Sequence, residues 1–300
     1  MKMKRYIIAC LLAGSGALMT SCGDYLDIVP DNVISLEEIF KTRKGAEEFL
    51  NTAYATLPRE WDPTDGCAAI CDEMDFPWAE YEENSINEGG MSPSKGWRQK
   101  WGGYYKAIRT AATFISHIDM CQDVNITDKL KAQYKAEARG LRAWFYFCLI
   151  RQYGPVVILS DDLVEGDASV EEMNIARSSI SQCFNYVTSE LNGVIDGHCL
   201  LDVNITDSRD PRYLNKNDYG RITEVACKAI KARVLLYAAS DLYNRDKTTP
   251  LFKSFKNIDG SYMMDYTNEG ATERWEAAVQ ATEEVFKYTD FALYKAPSAD

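Results

Sequence analysis

The chain has 300 residues and a formal net charge of −12 at pH 7, and 46% of its residues are hydrophobic while 26% are charged. This composition is typical of a folded globular protein and argues against a disordered chain. The acidic balance repels phosphate groups, so it also argues against nucleic acid as a partner.

The first predicted element is a secretory signal peptide over residues 1–21. A basic head precedes an apolar run, residues 6–19, that is too short to span a bilayer as a helix. Small residues and then Cys22 follow, which is typical of a lipoprotein signal that is cut before the cysteine. Acylation of Cys22 would anchor the mature chain to a membrane, with residues 22–34 as a tether. The alternative is an ordinary signal peptide with an incidental cysteine.

Helical periodicity fills most of residues 35–300, which we expect to form one globular body. Ser35 and Glu38 have the spacing of a capping box, and the amphipathic helix that follows ends at Pro58. From Trp97 onward, apolar residues step by four and three along a second helix. The remaining predicted elements are helices over about residues 128–153, 171–195 and 223–244, a short strand over residues 156–159, and an apolar helix stripe from Trp275 to Phe286. Long helices in antiparallel pairs indicate a mostly α repeat scaffold.

Residues 58–94 interrupt this pattern with a long irregular segment that contains several aromatic residues. Connections of this length are usually functional or disordered, and the aromatic content argues against disorder. Flat rings suit the C–H face of a sugar, while nearby carboxylate and amide groups suit its hydroxyls. We therefore predict a ligand-binding surface formed by Trp61, Trp78, Tyr81 and Asn84. The alternative is that these rings only pin the segment onto the helices.

Several prominent helical residues are assigned to the protein interior rather than to binding. Arg139 and Arg142 lie one turn apart near Glu137, which favours ion pairs on a helix face over an anion-binding site. Trp101 and Trp144 fall on apolar seams, so we expect both side chains to form part of the core.

The cysteine and histidine content predicts no metal or cofactor site. The chain has 2 histidines, and the Cys67-x3-Cys71 spacing has no matching pair elsewhere, so a zinc site is disfavoured. Asp62 and Asp65 lack the regular oxygen spacing of a calcium loop. The cysteines that fall inside helical apolar patterns, where a thiol behaves as a small hydrophobic group, are Cys148, Cys183 and Cys227.

No familiar catalytic motif is present in the chain. It lacks a Gly-x-Ser-x-Gly elbow, a His-Glu-x2-His helix and a phosphate-binding loop. We therefore predict a binding protein without catalytic residues. Two alternatives stay open. One is a surface-anchored glycoside hydrolase, since carboxylates are plentiful, and the other is a helical-repeat adaptor without a small ligand.

Four segments, taken in order, resemble the SusD/RagB family of lipoproteins. The resemblance extends over about residues 22–295. The matching segments are Cys22-Gly23-Asp24-Tyr25-Leu26-Asp27 with Pro30, the helix start Trp101-x2-Tyr104-Tyr105, the stretch Ala136–Phe147 continuing to Gly154, and Gly220-Arg221-Ile222-Thr223 with the helix that follows it.

The resemblance implies a tetratricopeptide-like scaffold of helix pairs with long irregular ligand-binding loops. It implies a lipoprotein of the cell outer membrane that faces outside and captures oligosaccharides or peptides. It also implies a partner, a SusC-like TonB-dependent transporter through which the ligand is imported. Members of the family are considerably longer, and their C-terminal portion has no counterpart after Asp300.

Overall fold

Helices account for most of the residues that this computed structural model describes. The described residues are 34–59, 68–71, 74–78, 81–92, 94, 96, 99–159, 169, 174–244, 254–265, 271–289 and 291–295. The chain divides into two units, Met1–Ile39 and Phe40–Asp300. The predicted signal peptide and its Cys22 lie outside the described residues.

The first unit contributes helix α1 and the second unit contributes helices α2 to α8. In the part of the chain that the structure describes, no helix is long and apolar enough to cross a membrane. The helices are α1 (Leu36–Ile39), α2 (Arg43–Tyr54), α3 (Glu82–Asn87), α4 (Trp101–His117), α5 (Asp128–Tyr153), α6 (Ile180–Asp196), α7 (Glu224–Ala239) and α8 (Ala271–Phe286).

The long helix α5 has the bounds that the sequence predicts, because both of its ends carry strong local signals. At its start the hydroxyl of Thr127 accepts a hydrogen bond from the N–H of Leu130 at 3.2 Å. At its end Gly154 adopts a φ of 71°, a conformation that favours glycine and stops the helix. Residues on every side of α5 are buried, so this helix is the centre of the core.

The predicted first helix is interrupted, because two separate caps lie close together in the sequence. Ser35 accepts a hydrogen bond from the N–H of Glu38 at 3.2 Å and starts α1. Thr42 then accepts from the N–H of Gly45 at 3.1 Å and starts α2. The sequence prediction joins the two segments because it does not treat Thr42 as a second cap.

Three other helix ends also differ from the sequence prediction. Helix α6 starts later than predicted, at Ile180, because Ser179 and Gln182 form a capping box there. Helix α4 starts at Trp101, inside the predicted seam, and α7 ends earlier than predicted, at Ala239. These shifts shorten the helices. The structure also contains a helix, α3, inside the segment that the sequence predicts to be irregular.

The prediction of a strand over residues 156–159 is wrong. The backbone of Val157 is satisfied by the hydroxyl of Tyr105, which donates to the carbonyl oxygen at 2.8 Å and accepts from the N–H at 2.9 Å. The N–H of Leu159 donates to the hydroxyl of Tyr146 at 3.0 Å. Tyrosine hydroxyls of α4 and α5 thus bond to this backbone in place of a neighbouring strand.

Successive helices pack against one another in chain order, α4 on α5, α5 on α6, α6 on α7 and α7 on α8. Side chains at opposite ends show that α7 and α8 are antiparallel. Lys228, near the start of α7, donates to the hydroxyl of Tyr288 beyond the end of α8 at 2.9 Å, and Arg274 of α8 reaches the carbonyl of Tyr243 at 2.7 Å. This order of packing is that of a helix-pair repeat.

The assignment of two tryptophans to the core is only partly right. Trp101 and Trp144 are half-buried, and a guanidinium covers each ring. Arg177 lies 4.9 Å from the centroid of Trp101, and Arg233 lies 5.8 Å from that of Trp144. Trp97, at the start of the predicted seam, lies outside the described residues.

The apolar stripe of α8 faces outward in this chain. Trp275, Val279 and Phe286 are 45%, 54% and 76% exposed. The small residues Ala278 and Ala281 are buried instead, which allows α8 to approach α7 closely.

Candidate functional site

The described part of the irregular segment forms a small aromatic cluster in front of α3. The rings of Phe76 and Tyr81 stack with centroids 4.6 Å apart and an interplanar angle of 26°. The indole of Trp78 packs at a tilt against Tyr81, with centroids 5.8 Å apart. Trp78 is 55% exposed, while the two rings behind it are half-buried. The result is a supported indole that is open to solvent.

Asn84 of α3 holds the backbone that carries this indole. Its side-chain N–H groups donate to the carbonyl oxygens of Phe76 at 3.1 Å and of Trp78 at 2.9 Å. Its Oδ1 atom is buried and has no hydrogen-bond partner among the described residues. Because both N–H groups are already used, Asn84 positions the loop. Its predicted contact with a ligand stays a prediction.

A second asparagine one turn later on α3 fastens the other side of the segment. Asn87 donates to the carbonyl oxygen of Ala69 at 3.0 Å and to the carboxylate of Asp75 at 3.1 Å. The same carboxylate oxygen of Asp75 accepts the N–H of Phe76 at 2.9 Å. Asn84 and Asn87 lie three residues apart, on one face of a helix. Together they clamp the aromatic loop, the segment that carries Phe76, Trp78 and Tyr81.

The surroundings of this cluster are acidic. Asp75, Glu82 and Glu88 are exposed, and Glu83 is buried. From residue 60 to residue 94 the chain contains no lysine or arginine. The carboxylate residues of that segment are Glu60, Asp62, Asp65, Asp72, Glu73, Asp75, Glu80, Glu82, Glu83 and Glu88.

A second group of polar side chains lies inside the protein around Glu137 of α5, which is fully buried. Its carboxylate accepts hydrogen bonds from the hydroxyl of Tyr54 at 2.7 Å and from Gln133 at 3.1 Å, and it pairs with Arg221 at 3.1 Å. Burial raises the pKa of Glu137 above its ordinary value, against the lowering effect of Arg221. Tyr54 also accepts the N–H of Ile222 at 3.0 Å, so the group joins α2, α5 and the turn before α7.

Arg139 and Arg142 form ion pairs, as predicted, but not with Glu137. Both guanidinium groups bind Glu190 of α6, at 2.9 Å and 2.7 Å. Burial alone would raise the pKa of Glu190, yet the two arginines lower it overall. Glu190 lies far from both arginines in sequence, and Glu137 is already occupied by Arg221. The local spacing therefore pointed to the wrong carboxylate.

Replacing Glu190 by Gln should lower the free energy of unfolding at neutral pH. The variant should then lose less stability than the unmodified protein as the pH falls. The folded-state pKa of Glu190 lies below the ordinary value of 4.5, so its contribution is complete above that value and is lost as pH falls through the folded pKa. Urea denaturation of both proteins from pH 7 to about pH 3 measures the difference, which should shrink toward acid. A constant difference across that range would contradict the assignment.

The three cysteines that the sequence places in apolar helix patterns are buried, in agreement with that interpretation. Cys148, Cys183 and Cys227 are buried. Burial raises the pKa of Cys183 to about 11 and that of Cys227 to about 12, so both thiols are neutral. Within the described ranges, no group of three or more His, Cys, Asp and Glu side chains is arranged to hold a metal ion.

The comparison with known families identifies the scaffold. The SusD-like family described as "Starch-binding associating with outer membrane" matches residues 24–201. The chain belongs to the SusD-like family. This confirms the resemblance in the sequence, and the SusD-like neighbours confirm a mostly α fold of tetratricopeptide-like helix pairs.

Individual relatives of this SusD-like chain agree with that assignment. A SusD-like protein of Bacteroides ovatus is 25% identical over 249 residues, which cover 79% of this chain and 39% of that protein. The solved structure of BT4246 aligns with a TM-score of 0.70 at 24% identity, over 85% of this chain and 42% of the other. Surface glycan-binding protein A from Bacteroides uniformis aligns with a TM-score of 0.58 at 16% identity, over 84% and 48%. The chain thus spans less than half the length of these relatives.

The structure brings together some of the predicted binding residues of the SusD-like chain. Trp78 and Tyr81 are in contact, and Asn84 donates to the backbone carbonyl of Trp78. Trp61 lies outside the described residues. Sequence reasoning missed the supporting role of Asn87, because the segment was predicted to be irregular and the spacing from Asn84 has meaning only on a helix.

Proposed function

We propose that this SusD-like chain belongs to a cell-surface lipoprotein that captures oligosaccharides and delivers them to a SusC-like TonB-dependent transporter of the outer membrane. In this proposal residues 1–21 are the signal peptide, residues 22–34 the tether with its lipid on Cys22, and residues 35–300 the SusD-like body. Peptides are the other ligand class that such a transporter system would take. The chain acts without catalysis.

The family assignment supports the general role. The matched family carries the description of starch binding and association with the outer membrane. A structural neighbour is named a surface glycan-binding protein. These descriptions concern the family and the neighbour, and they make glycan capture at a cell surface the first function to test for this chain.

The exposed indole of Trp78 is the observation that carries the proposal to particular residues. A large aromatic side chain that is 55% exposed, backed by a second ring and fixed by an asparagine clamp, is not explained by core packing. Such a rigid ring offers a flat apolar surface to the C–H face of a sugar. The neighbouring carboxylates of Asp75 and Glu82 provide acceptors for hydroxyl groups.

The arrangement of the buried carboxylates supports binding rather than hydrolysis. Glycoside hydrolysis needs two carboxyl groups on either side of an accessible bond. Glu137 and Glu190 are held by arginines inside the helix pairs, and Glu224 of α7 is held by Lys228 at 3.0 Å. Each of these three side chains is thus engaged by a basic side chain and stabilises the scaffold.

The double variant Trp78→Ala/Tyr81→Ala should weaken glycan binding by at least about fivefold. Each stacked ring contributes on the order of 0.5–1.5 kcal/mol, so the loss of two rings removes a large part of the affinity. Affinity electrophoresis against a panel of soluble polysaccharides, followed by calorimetry on those that retard the protein, measures the change. The helical signal in circular dichroism should stay the same, because both rings lie outside the helix packing.

A matched control removes the same two residue types elsewhere. Trp275 and Tyr294 are 45% and 85% exposed, and Trp275→Ala/Tyr294→Ala should bind glycans like the unmodified protein. Equal weakening in both double variants would contradict a site at the aromatic loop. Retention of peptides but no glycan on the same panel would favour the peptide ligand class, and release of reducing sugar would identify a hydrolase.

A further inference from the structure

The irregular segment that contains Trp78, residues 60–94, has a large negative charge for its length. Between Arg59 and Lys95 the chain has carboxylates but no lysine or arginine. The formal charge of the whole chain is −12, so this segment accounts for most of the imbalance. The described carboxylates of Asp75, Glu82 and Glu88 are exposed on the same short stretch as Trp78.

At least one of these carboxylates is fixed beside the rings. Asp75 accepts hydrogen bonds from the N–H of Phe76 at 2.9 Å and from Asn87 at 3.1 Å, which holds its charge next to the stack. Glu82 directly follows Tyr81 and begins α3. A ligand that rests on Trp78 therefore lies in a negative field that no basic side chain of the same segment offsets.

Electrostatics then decides which sugars the indole can hold. The screening length at physiological ionic strength is about 8 Å, a distance comparable to one or two sugar rings. An anionic group on a bound glycan would be repelled by several carboxylates at once, while an uncharged glycan would meet only hydrogen-bond acceptors. Repulsion of this kind excludes a ligand class without any loss of affinity for the others.

We propose that the surface around Trp78 selects uncharged oligosaccharides and rejects glycans that carry uronate or sulfate groups. This inference rests on the proposed function, because it assigns a substrate class to the same site. It depends on two independent observations, an open aromatic platform and a segment without basic residues. Glycans with free amino groups should gain affinity, since their charge has the opposite sign.

The first test is a panel of neutral, amino, uronate and sulfated polysaccharides, applied to the full protein in buffers with calcium and with EDTA. We expect every retained polysaccharide to be neutral or amino-bearing. Retention of a uronate or sulfated polysaccharide, in either buffer, would overturn the charge selection while leaving glycan binding intact. No retention of any polysaccharide would overturn the proposed function itself, so the two failures can be told apart.

The second test reverses charge beside the platform. The neutral oligosaccharide bound in the first test is carboxymethylated, and the ratio of the Kd values for the charged and neutral forms is measured. Glu82→Lys/Glu88→Lys should shift this ratio by about tenfold toward the charged form at low salt, and high salt should remove the shift. The control Glu273→Lys/Glu276→Lys makes the same charge change on exposed positions of α8 and should not shift the ratio. An equal shift in both variants, or none in the first, would overturn the proposal.

Discussion

Replacement of Cys22 by Ala should release the protein from the membrane. The thiol of Cys22 is the proposed acylation site, and none of the described helices is suited to cross a bilayer. Several acyl chains on one cysteine are needed for stable anchoring, so Cys22→Ala removes the proposed lipid anchor. Cell fractionation with palmitate labelling measures the effect, and we expect the label and the membrane-bound fraction to disappear together.

The leader offers a control for this experiment at Cys10. That residue belongs to the apolar part of the predicted signal peptide and would be removed with it. Cys10→Ala should therefore keep both the label and the membrane fraction. A Cys22→Ala protein that is still labelled and still pelleted with membranes would contradict the lipid anchor.

Among the proposed substitutions, removal of Arg221 should cause the largest loss of folding stability. This arginine pairs with Glu137 at 3.1 Å and covers the ring of Tyr134 at 4.7 Å, and Glu137 is fully buried. Breaking a buried pair on one side leaves an uncompensated charge, which costs about 3–5 kcal/mol of folding free energy. Arg221→Met keeps the length of the side chain and removes its charge, and urea denaturation at pH 7 measures the loss.

The pH dependence of this loss distinguishes a charge effect from a packing effect. Burial already raises the pKa of Glu137 above its ordinary value of 4.5, and loss of Arg221 would raise it further. The loss of unfolding free energy in Arg221→Met should therefore grow as the pH rises above the ordinary pKa of Glu137. It should shrink in acid, where Glu137 is protonated in both the folded and the unfolded state. A penalty that is independent of pH would indicate lost packing alone.

An exposed pair provides the comparison. Arg209 binds Asp207 at 2.8 Å, but both side chains are largely exposed. Arg209→Met should leave the unfolding midpoint essentially unchanged, because solvent screens such pairs. A comparable loss in both variants would show that burial of Glu137 is not the cause.

The sequence predicted best those features whose causes are local. The bounds of α5 follow from the Thr127 cap and the Gly154 stop, both of which are visible within a few residues. The break between α1 and α2 was missed because Thr42 was not recognised as a second cap. The order of the long helices was thus readable, but the short helix α3 was missed inside the segment predicted to be irregular, and helix starts depended on which of several possible caps is used.

Long-range partners could not be read from the chain. The segment at Val157 looks like a strand, but its partners are hydroxyls from tyrosines on two helices. Arg139 and Arg142 find Glu190 on the next helix rather than the nearby Glu137. Such choices depend on how helices pack, and spacing along one helix does not contain that information.

The candidate site was located by composition rather than by motif. An irregular segment rich in aromatic and acidic residues pointed to Trp78 and Tyr81, and the structure places those rings in contact. The support beneath them, the clamp of Asn84 and Asn87 on a short helix, required the fold. The structure thus adds the support of the rings, while ligand binding at them stays a prediction.

A crystal structure of the full protein with a bound oligosaccharide tests the central claim most directly. The account predicts a sugar ring stacked on the indole of Trp78, with carbon atoms at van der Waals distance of about 4 Å and hydroxyls near the surrounding carboxylates. A well-ordered oligosaccharide bound elsewhere, with the Trp78 indole left open to solvent, would contradict it.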